Sequence, residues 1–239
     1  MIKYGPNIVT DGLVLALDAA NHRSYPGSGT TWKDLSGDGN NGTLINSPTF
    51  DSANKGSIVF DSVNDYTSIP HNSNLNPETG DFTFSAWVKY NGAALTTTSV
   101  IETLISKGIY NFSGGEWEII FRGGSLNGFY FRVRTSTGFD DINLSSDQRS
   151  IIEDGNFHMI TISIEKGAAS EGKAYLDGNL VGTKSTITTN INNTSPLYIA
   201  KYSTIYGAIK VGSVLIYKNK ALSEGEILQN YNATKQRFK

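Results

Sequence analysis

Cysteine is absent from all 239 residues. Disulfides, zinc–thiolate centres and thiol nucleophiles are therefore excluded. Long apolar runs are missing too, and no window approaches the ~20 residues that a membrane-spanning helix needs. The opening "MIKYGPNIVTDG" breaks at Gly5-Pro6 before any run of signal-peptide length. A soluble chain with no export signal and no membrane partner is expected. Charge of one sign is also scarce: 20 basic residues against 22 acidic ones leave −2, with no basic arm. Nucleic acid is a poor partner for such a surface.

What is present suits a β protein. Hydrophobic residues make up 38% of the chain and aromatics 11%, including 12 Tyr and 11 Phe, enough for a sizeable core. Alternation at period two recurs along the sequence. In "DFTFSAWVKY" (81–90), Phe82, Phe84, Ala86 and Val88 share one face, and Thr83, Ser85, Trp87 and Lys89 the other. "WEIIFR" (117–122) and "GFYFRVRT" (128–135), joined by "GGSLNG", read as an antiparallel hairpin. "NFHMITISI" (156–164), "KAYLD" (173–177) and "NLVGTK" (179–184) follow, the last two hinged at Asp177-Gly178. That pair favours a type I′ turn because both residues tolerate positive φ. "SPLYIA" (195–200) and "AIKVGSVLIYK" (208–218) complete the set.

Helix is scarce. The good candidate starts at Ser223, where Ser and Glu226 form a capping box. Ile227, Leu228 and Tyr231 then lie on one side, and Lys235 and Arg237 sit where a helix C-terminus favours cations. Many short strands and one terminal helix predict an all-β fold: an antiparallel β-sandwich of jelly-roll type with a short C-terminal helix. No linker divides the chain, so residues 1–239 are expected to form a single domain, with 1–11 as an extended arm.

The order of the pieces carries a resemblance. "DGLVLALDAAN", "GSIVFDSVNDYTSIP", "DFTFSAWVK", "KAYLDGNLVG" and the ending "IYKNKALSEGEI" together resemble the laminin-G-like jelly roll of the concanavalin A-like lectin/glucanase superfamily, from Gly12 to Phe238. The opening "YGPNIVTDGLVLALDAANHRSYPGSGTTW" and the closing "EILQNYNATKQRF" are similar to laminin-G-like proteins of tailed bacteriophages. That resemblance implies a virion structural protein made in the host cytoplasm, a decoration or head-fibre component on the capsid exterior or tail. Capsid or other virion proteins would be its partners, and a symmetric homo-oligomer would fit. The alternative is a lectin-like module that binds cell-surface glycan.

"WKDLSGDGNNGTL" (32–44) leaves two readings open. Asp34, Ser36, Asp38 and Gly39 stand at the first, third, fifth and sixth places of an EF-hand-type calcium loop, but Ile45 occupies the twelfth, where a bidentate acid belongs. An EF-hand is excluded. The superfamily resemblance implies another calcium site, with side chains from Asp34, Asp38 and Asn41. Lys210 and Val211 stand where relatives carry acids before the last strand, which removes a ligand. The other reading is a cluster of turn residues, since Asn, Asp and Gly accept left-handed backbone. The turn is preferred; calcium remains the one cofactor considered.

No catalytic constellation emerges. Glu116 and Glu118 share a strand face but are followed by Ile119, Ile120 and Phe121, and adjacent Asp140 and Asp141 point to opposite faces. Of the three histidines, His158 falls in register with Ile160, Ile162 and Ile164, as a packed strand residue would. A non-enzyme is expected. For binding, the polar side of the 117–135 hairpin should display Glu118, Arg122, Tyr130, Arg132 and Arg134. Such a face could be solvated, meet a protein partner or hold a sugar.

Overall fold

A computed structural model describes residues 7–91, 101–108, 115–122, 128–134, 138–143, 146–187 and 190–238. The first strands are β1 (Leu13–Asp18), β2 (Thr31–Trp32), β3 (Gly42–Ile45), β4 (Thr49–Asp51), β5 (Ser57–Asp61) and β6 (Tyr66–Ile69). Next come β7 (Phe82–Tyr90), β8 (Ile101–Lys107), β9 (Glu116–Arg122), β10 (Gly128–Arg134) and β11 (Phe139–Asn143). A short helix α1 (Ser146–Ile152) leads to β12 (His158–Ile164), β13 (Gly172–Leu176) and β14 (Asn179–Lys184). The chain closes with β15 (Leu197–Ile199), β16 (Lys201–Tyr202), β17 (Ile205–Tyr206), β18 (Ala208–Lys218) and helix α2 (Glu224–Thr234).

Among the described residues two eight-stranded antiparallel sheets form the sandwich, and β16 with β17 makes a separate two-stranded ribbon. The first runs β14-β13-β12-β7-β18-β5-β4, with β1 also beside β18; the second runs β11-β10-β9-β8-β15-β6-β3-β2. Their inner faces make the core. Phe82, Phe84, Ala86 and Val88 meet Ile119, Phe121, Phe131 and Val133 there, as the alternation in each strand requires.

The outer face of the first sheet is buried as well. Trp87, Met159, Tyr175, Tyr217, Leu222, Ile227 and Phe238 form a second apolar cluster beneath α2 and the turn after it. Burial on both sides explains why the hydroxyls of β7 find partners inside the protein. Thr83 Oγ1 accepts the Leu222 N–H at 2.9 Å, and the Ser85 and Thr161 hydroxyls lie 2.9 Å apart.

Local chemistry fixes the ends. Asp177 and Gly178 take φ of 52° and 82°, the two positive values of the type I′ turn. The Ser223 hydroxyl accepts the Glu226 N–H at 3.3 Å, and the Glu226 carboxylate accepts the Ser223 N–H at 2.9 Å, completing the capping box. Leu228 departs from expectation: it is 47% exposed. The packing side of α2 is completed instead by Asn230, whose amide takes the Val9 N–H at 2.8 Å and donates to the Tyr217 hydroxyl at 2.9 Å. Most of the segment read as an arm, residues 1–6, lies outside the described residues; from Asn7 onward the chain is held against α2.

One carboxyl is buried where the sheets meet. Glu102 accepts the Ala208 N–H at 2.9 Å and a hydrogen bond from Tyr90. Burial pushes its pKa from 4.5 up to about 7, against those two bonds. An acid whose folded pKa is raised contributes stability below its unfolded pKa and loses that contribution as pH rises through the folded value. Glu102→Gln, which can keep both bonds, should therefore match the parent near pH 4.5 and exceed it by about 3 kcal/mol at pH 8. Denaturant midpoints measured across that range check the prediction; a pH-independent difference would refute it.

Candidate functional site

Register places one row of side chains across the outer face of the second sheet. Thr43 pairs with Ser68, Ser68 with Tyr198 and Tyr198 with Ser106. Ser106 pairs with Glu118, Glu118 with Arg132 and Arg132 with Asp141. With strands ~4.8 Å apart, Tyr198 and Arg132 stand roughly 14 Å from each other along this row.

At the β9–β11 end the hairpin residues are brought together, but not as an open surface. Glu118 is 1% exposed, Tyr130 7% and Arg132 8%. The expectation of a displayed polar face is corrected here, and the reason is cross-strand pairing. Arg132 grips Asp141 with both edge nitrogens, Nε at 2.8 Å and Nη2 at 2.7 Å. These bonds raise the Arg132 pKa against the cost of burial. Its guanidinium also lies 4.4 Å from the Phe139 ring centre. Arg122 alone of the five is described as partly exposed; the Arg134 side chain lies outside the described residues. Burial raises the Tyr130 pKa.

The other half of the row is more open. After β15 the backbone turns left-handed at Ala200, φ 62°. In an unbroken strand Lys201 would point away from Tyr198; the kink breaks that alternation. The β16–β17 hairpin then lies over the outer face, tied down where the Ser106 hydroxyl donates to the Lys201 carbonyl at 2.6 Å. Tyr202 donates to the Glu116 carboxylate at 3.5 Å. Lys201 Nζ ends 4.0 Å from the centre of the Tyr66 ring, 5.2 Å from Tyr198 and 5.7 Å from Tyr206. Tyr66 meets Tyr198 edge-on at 5.8 Å and Tyr206 at 6.2 Å. All four side chains are half-exposed. Among the described residues no carboxylate pairs with Lys201, so rings are the partners of its charge.

The loop at 34–41 is organised by its own hydrogen bonds. Asp34 is buried, and its carboxylate accepts the Ala16 N–H at 2.8 Å, the Ser36 N–H at 2.9 Å, the Ser36 hydroxyl at 2.7 Å and the Asn40 N–H at 3.0 Å. Asn41 accepts the Asp34 N–H at 2.9 Å, while Asp38 and Asn41 are exposed. These donors satisfy Asp34 without a cation. Among the described residues no group of three His, Asp or Glu side chains could hold a metal ion.

His158 offers no free nitrogen for general-base work. Nδ1 lies 2.9 Å from an Asp177 oxygen and Nε2 3.0 Å from an Asp154 oxygen. Burial lowers its pKa, but the two carboxylates outweigh that, and the net shift is upward.

The fold and sequence define a family. Residues 61–228 match the Laminin_G_3 profile, described as concanavalin A-like lectin/glucanases superfamily, and the chain belongs to that superfamily. Similar solved structures include the binding domain of Paraclostridial Mosquitocidal Protein 1, at 21% identity and TM-score 0.73 over 94% of this chain and 52% of that one. A second is the binding domain of botulinum neurotoxin DC in complex with SialylT, at 18% identity and TM-score 0.72, with 94% and 52% covered. A third comes from work on the dependence of botulinum neurotoxin type C cell entry on two ganglioside molecules, at 16% and 0.73, with 95% and 52% covered. The chain spans about half the length of these structures, and at such identities the likeness is one of fold. No curated protein matches the chain.

Proposed function

We propose that the chain works as a non-catalytic glycan-binding module whose contact surface is the Tyr66–Tyr198–Tyr206–Lys201 cluster. The observation that carries this reading is the half-exposed ring cluster around Lys201, which has no carboxylate partner among the described residues. A sugar presents C–H faces that pack on aromatic rings and hydroxyls that accept from an ammonium or a phenol, so this cluster offers both halves of the contact. The structural neighbours named above support it, since one is a complex with SialylT and another concerns interaction with gangliosides. The virion placement rests on the likeness of the terminal segments alone, and titration onto bare capsids is its own test.

The sugar reading is tested with a glycan panel, probed in calcium and again in EDTA. Tyr198→Ala and Tyr66→Ala should each weaken the best hit by about tenfold or more, a loss of the size that one stacking ring supplies. Because both side chains are half-exposed, unfolding is not expected to confuse the result. No hit on the panel, or a hit indifferent to both substitutions, removes the proposal.

A further inference from the structure

His158 is buried at the start of β12, opposite Val88 of β7. Two acids from different parts of the chain close on it. Asp177, in the turn between β13 and β14, has an oxygen 2.9 Å from Nδ1, and Asp154, in the loop between α1 and β12, has one 3.0 Å from Nε2. A carboxylate only accepts, so both contacts are hydrogen bonds at once only when each ring nitrogen carries a proton. The ring that this geometry fits is the imidazolium. The two acids are held unequally. The Asp177 side chain is 14% exposed, and its other oxygen takes the Met159 N–H at 2.9 Å. The Asp154 side chain is 38% exposed, and Asn156 of the same loop bonds it through its N–H at 2.7 Å and its amide at 3.0 Å. Gly155 between them has open space around it, while Ile152 before the loop and Phe157 after it are buried in the two apolar clusters.

We propose that His158 is a proton-operated latch: charged, it ties residues 154–156 to the β13–β14 turn, and neutral, it releases them at Asp154. A neutral imidazole keeps one proton. Held on Nδ1 toward the anchored Asp177, that proton leaves the Nε2 lone pair against the Asp154 carboxylate, which is the partner with room to swing out. Ile152 and Phe157 confine the movement to the loop tip. Of the other elements around the ring, β7 presents the apolar Val88, and Glu153 at the end of α1 is paired with Arg149 at 3.4 Å. Burial disfavours the charge on His158, but the bonds to Asp177 and Asp154 outweigh it and lift the pKa above 6.5. A base raised in this way contributes its stability below the unfolded value and loses it as pH rises through the folded one. The latch therefore opens on the alkaline side.

Nitrogen-15 NMR of the full chain labelled in histidine, titrated from about pH 5 to about pH 9, tests the proposal. His158→Gln identifies the His158 signals among those of the three histidines. Both ring nitrogens should carry hydrogen until a midpoint above 6.5, after which the Nδ1–H form should remain. Asp154→Asn removes one of the two charges and should move that midpoint down. Amide exchange at Gly155 and Asn156 should quicken through the same midpoint, beyond its intrinsic pH dependence, in the parent. It should not do so in Asp154→Asn, whose amide can give or take a hydrogen bond and no longer depends on the charge of the ring. A His158 already neutral below pH 6.5, a midpoint that Asp154→Asn leaves unmoved, or exchange at the loop tip that ignores the titration would overturn the assignment.

Discussion

Replacing Trp87 by alanine should lower the unfolding free energy by about 3–5 kcal/mol, the range for removing a buried tryptophan. The indole is 2% exposed on the outer face of β7. It is stacked against two rings, Phe238 at 4.6 Å with planes 20° apart and Tyr231 at 5.6 Å and 16°. Its Nε1–H donates to the Thr234 hydroxyl at 2.7 Å. One side chain thus joins the first sheet to three residues of the C-terminal segment. Truncation would leave a void that neither ring can fill without moving α2, so the cost includes a cavity as well as lost transfer energy. Trp87→Phe should cost less, losing the hydrogen bond but keeping a ring in the stack. Chemical denaturation checks both; a loss below about 1 kcal/mol for the alanine variant would mean that the C-terminal segment is not fastened through this contact.

Asp34→Ala should cost about 3–4 kcal/mol. Four donors converge on that carboxylate, and two of them, the Ala16 and Asn40 N–H groups, are buried and have no water to turn to once it is gone. Hydrogen bonds to a charged group are worth about 1.5–3 kcal/mol each, though they do not sum fully when they share one acceptor. Asp34→Asn keeps one carbonyl oxygen and should fall between. The same melts run in calcium and in EDTA separate the two readings of the loop. Equal stability in both buffers supports the turn. A calcium-dependent rise in the parent, lost in Asp34→Ala, would establish a metal site at Asp34, Asp38 and Asn41.

Much of the architecture was legible in the residues because alternation and turn chemistry are local. Phe82, Phe84, Ala86 and Val88 face the core as their period demands, Asp177-Gly178 turns the chain, and Ser223 with Glu226 starts α2. What could not be read depends on register. Glu118, Arg132 and Asp141 look like solvated charges until three strands place them side by side, when they become each other's surroundings. The tyrosine cluster is hidden for a related reason: the strand read over "SPLYIA" says nothing of where residues 201–206 go, and the left-handed turn at Ala200 is signalled by neither glycine nor asparagine. Helix α1 in "SSDQRSII" is too short to show a period. Periodicity alone puts Leu228 on the buried side, whereas the surface beneath α2 includes the Val9 N–H and the Tyr217 hydroxyl, which call for the amide of Asn230.

The position of β18 has a consequence for how the protein comes into being. This strand pairs with β7 along one edge and with β1 and β5, end to end, along the other. Its residues, 208–218, are synthesised after every other strand of the sheet. Until they leave the ribosome, β1 and β5 have no neighbour joining them to β7, and the first sheet cannot close. Folding must then bring together segments some two hundred positions apart, a topology that slows the search and leaves unpaired strand edges exposed meanwhile. A nascent chain stalled before Ala208 would thus be a good client for a chaperone, however stable the finished sandwich is.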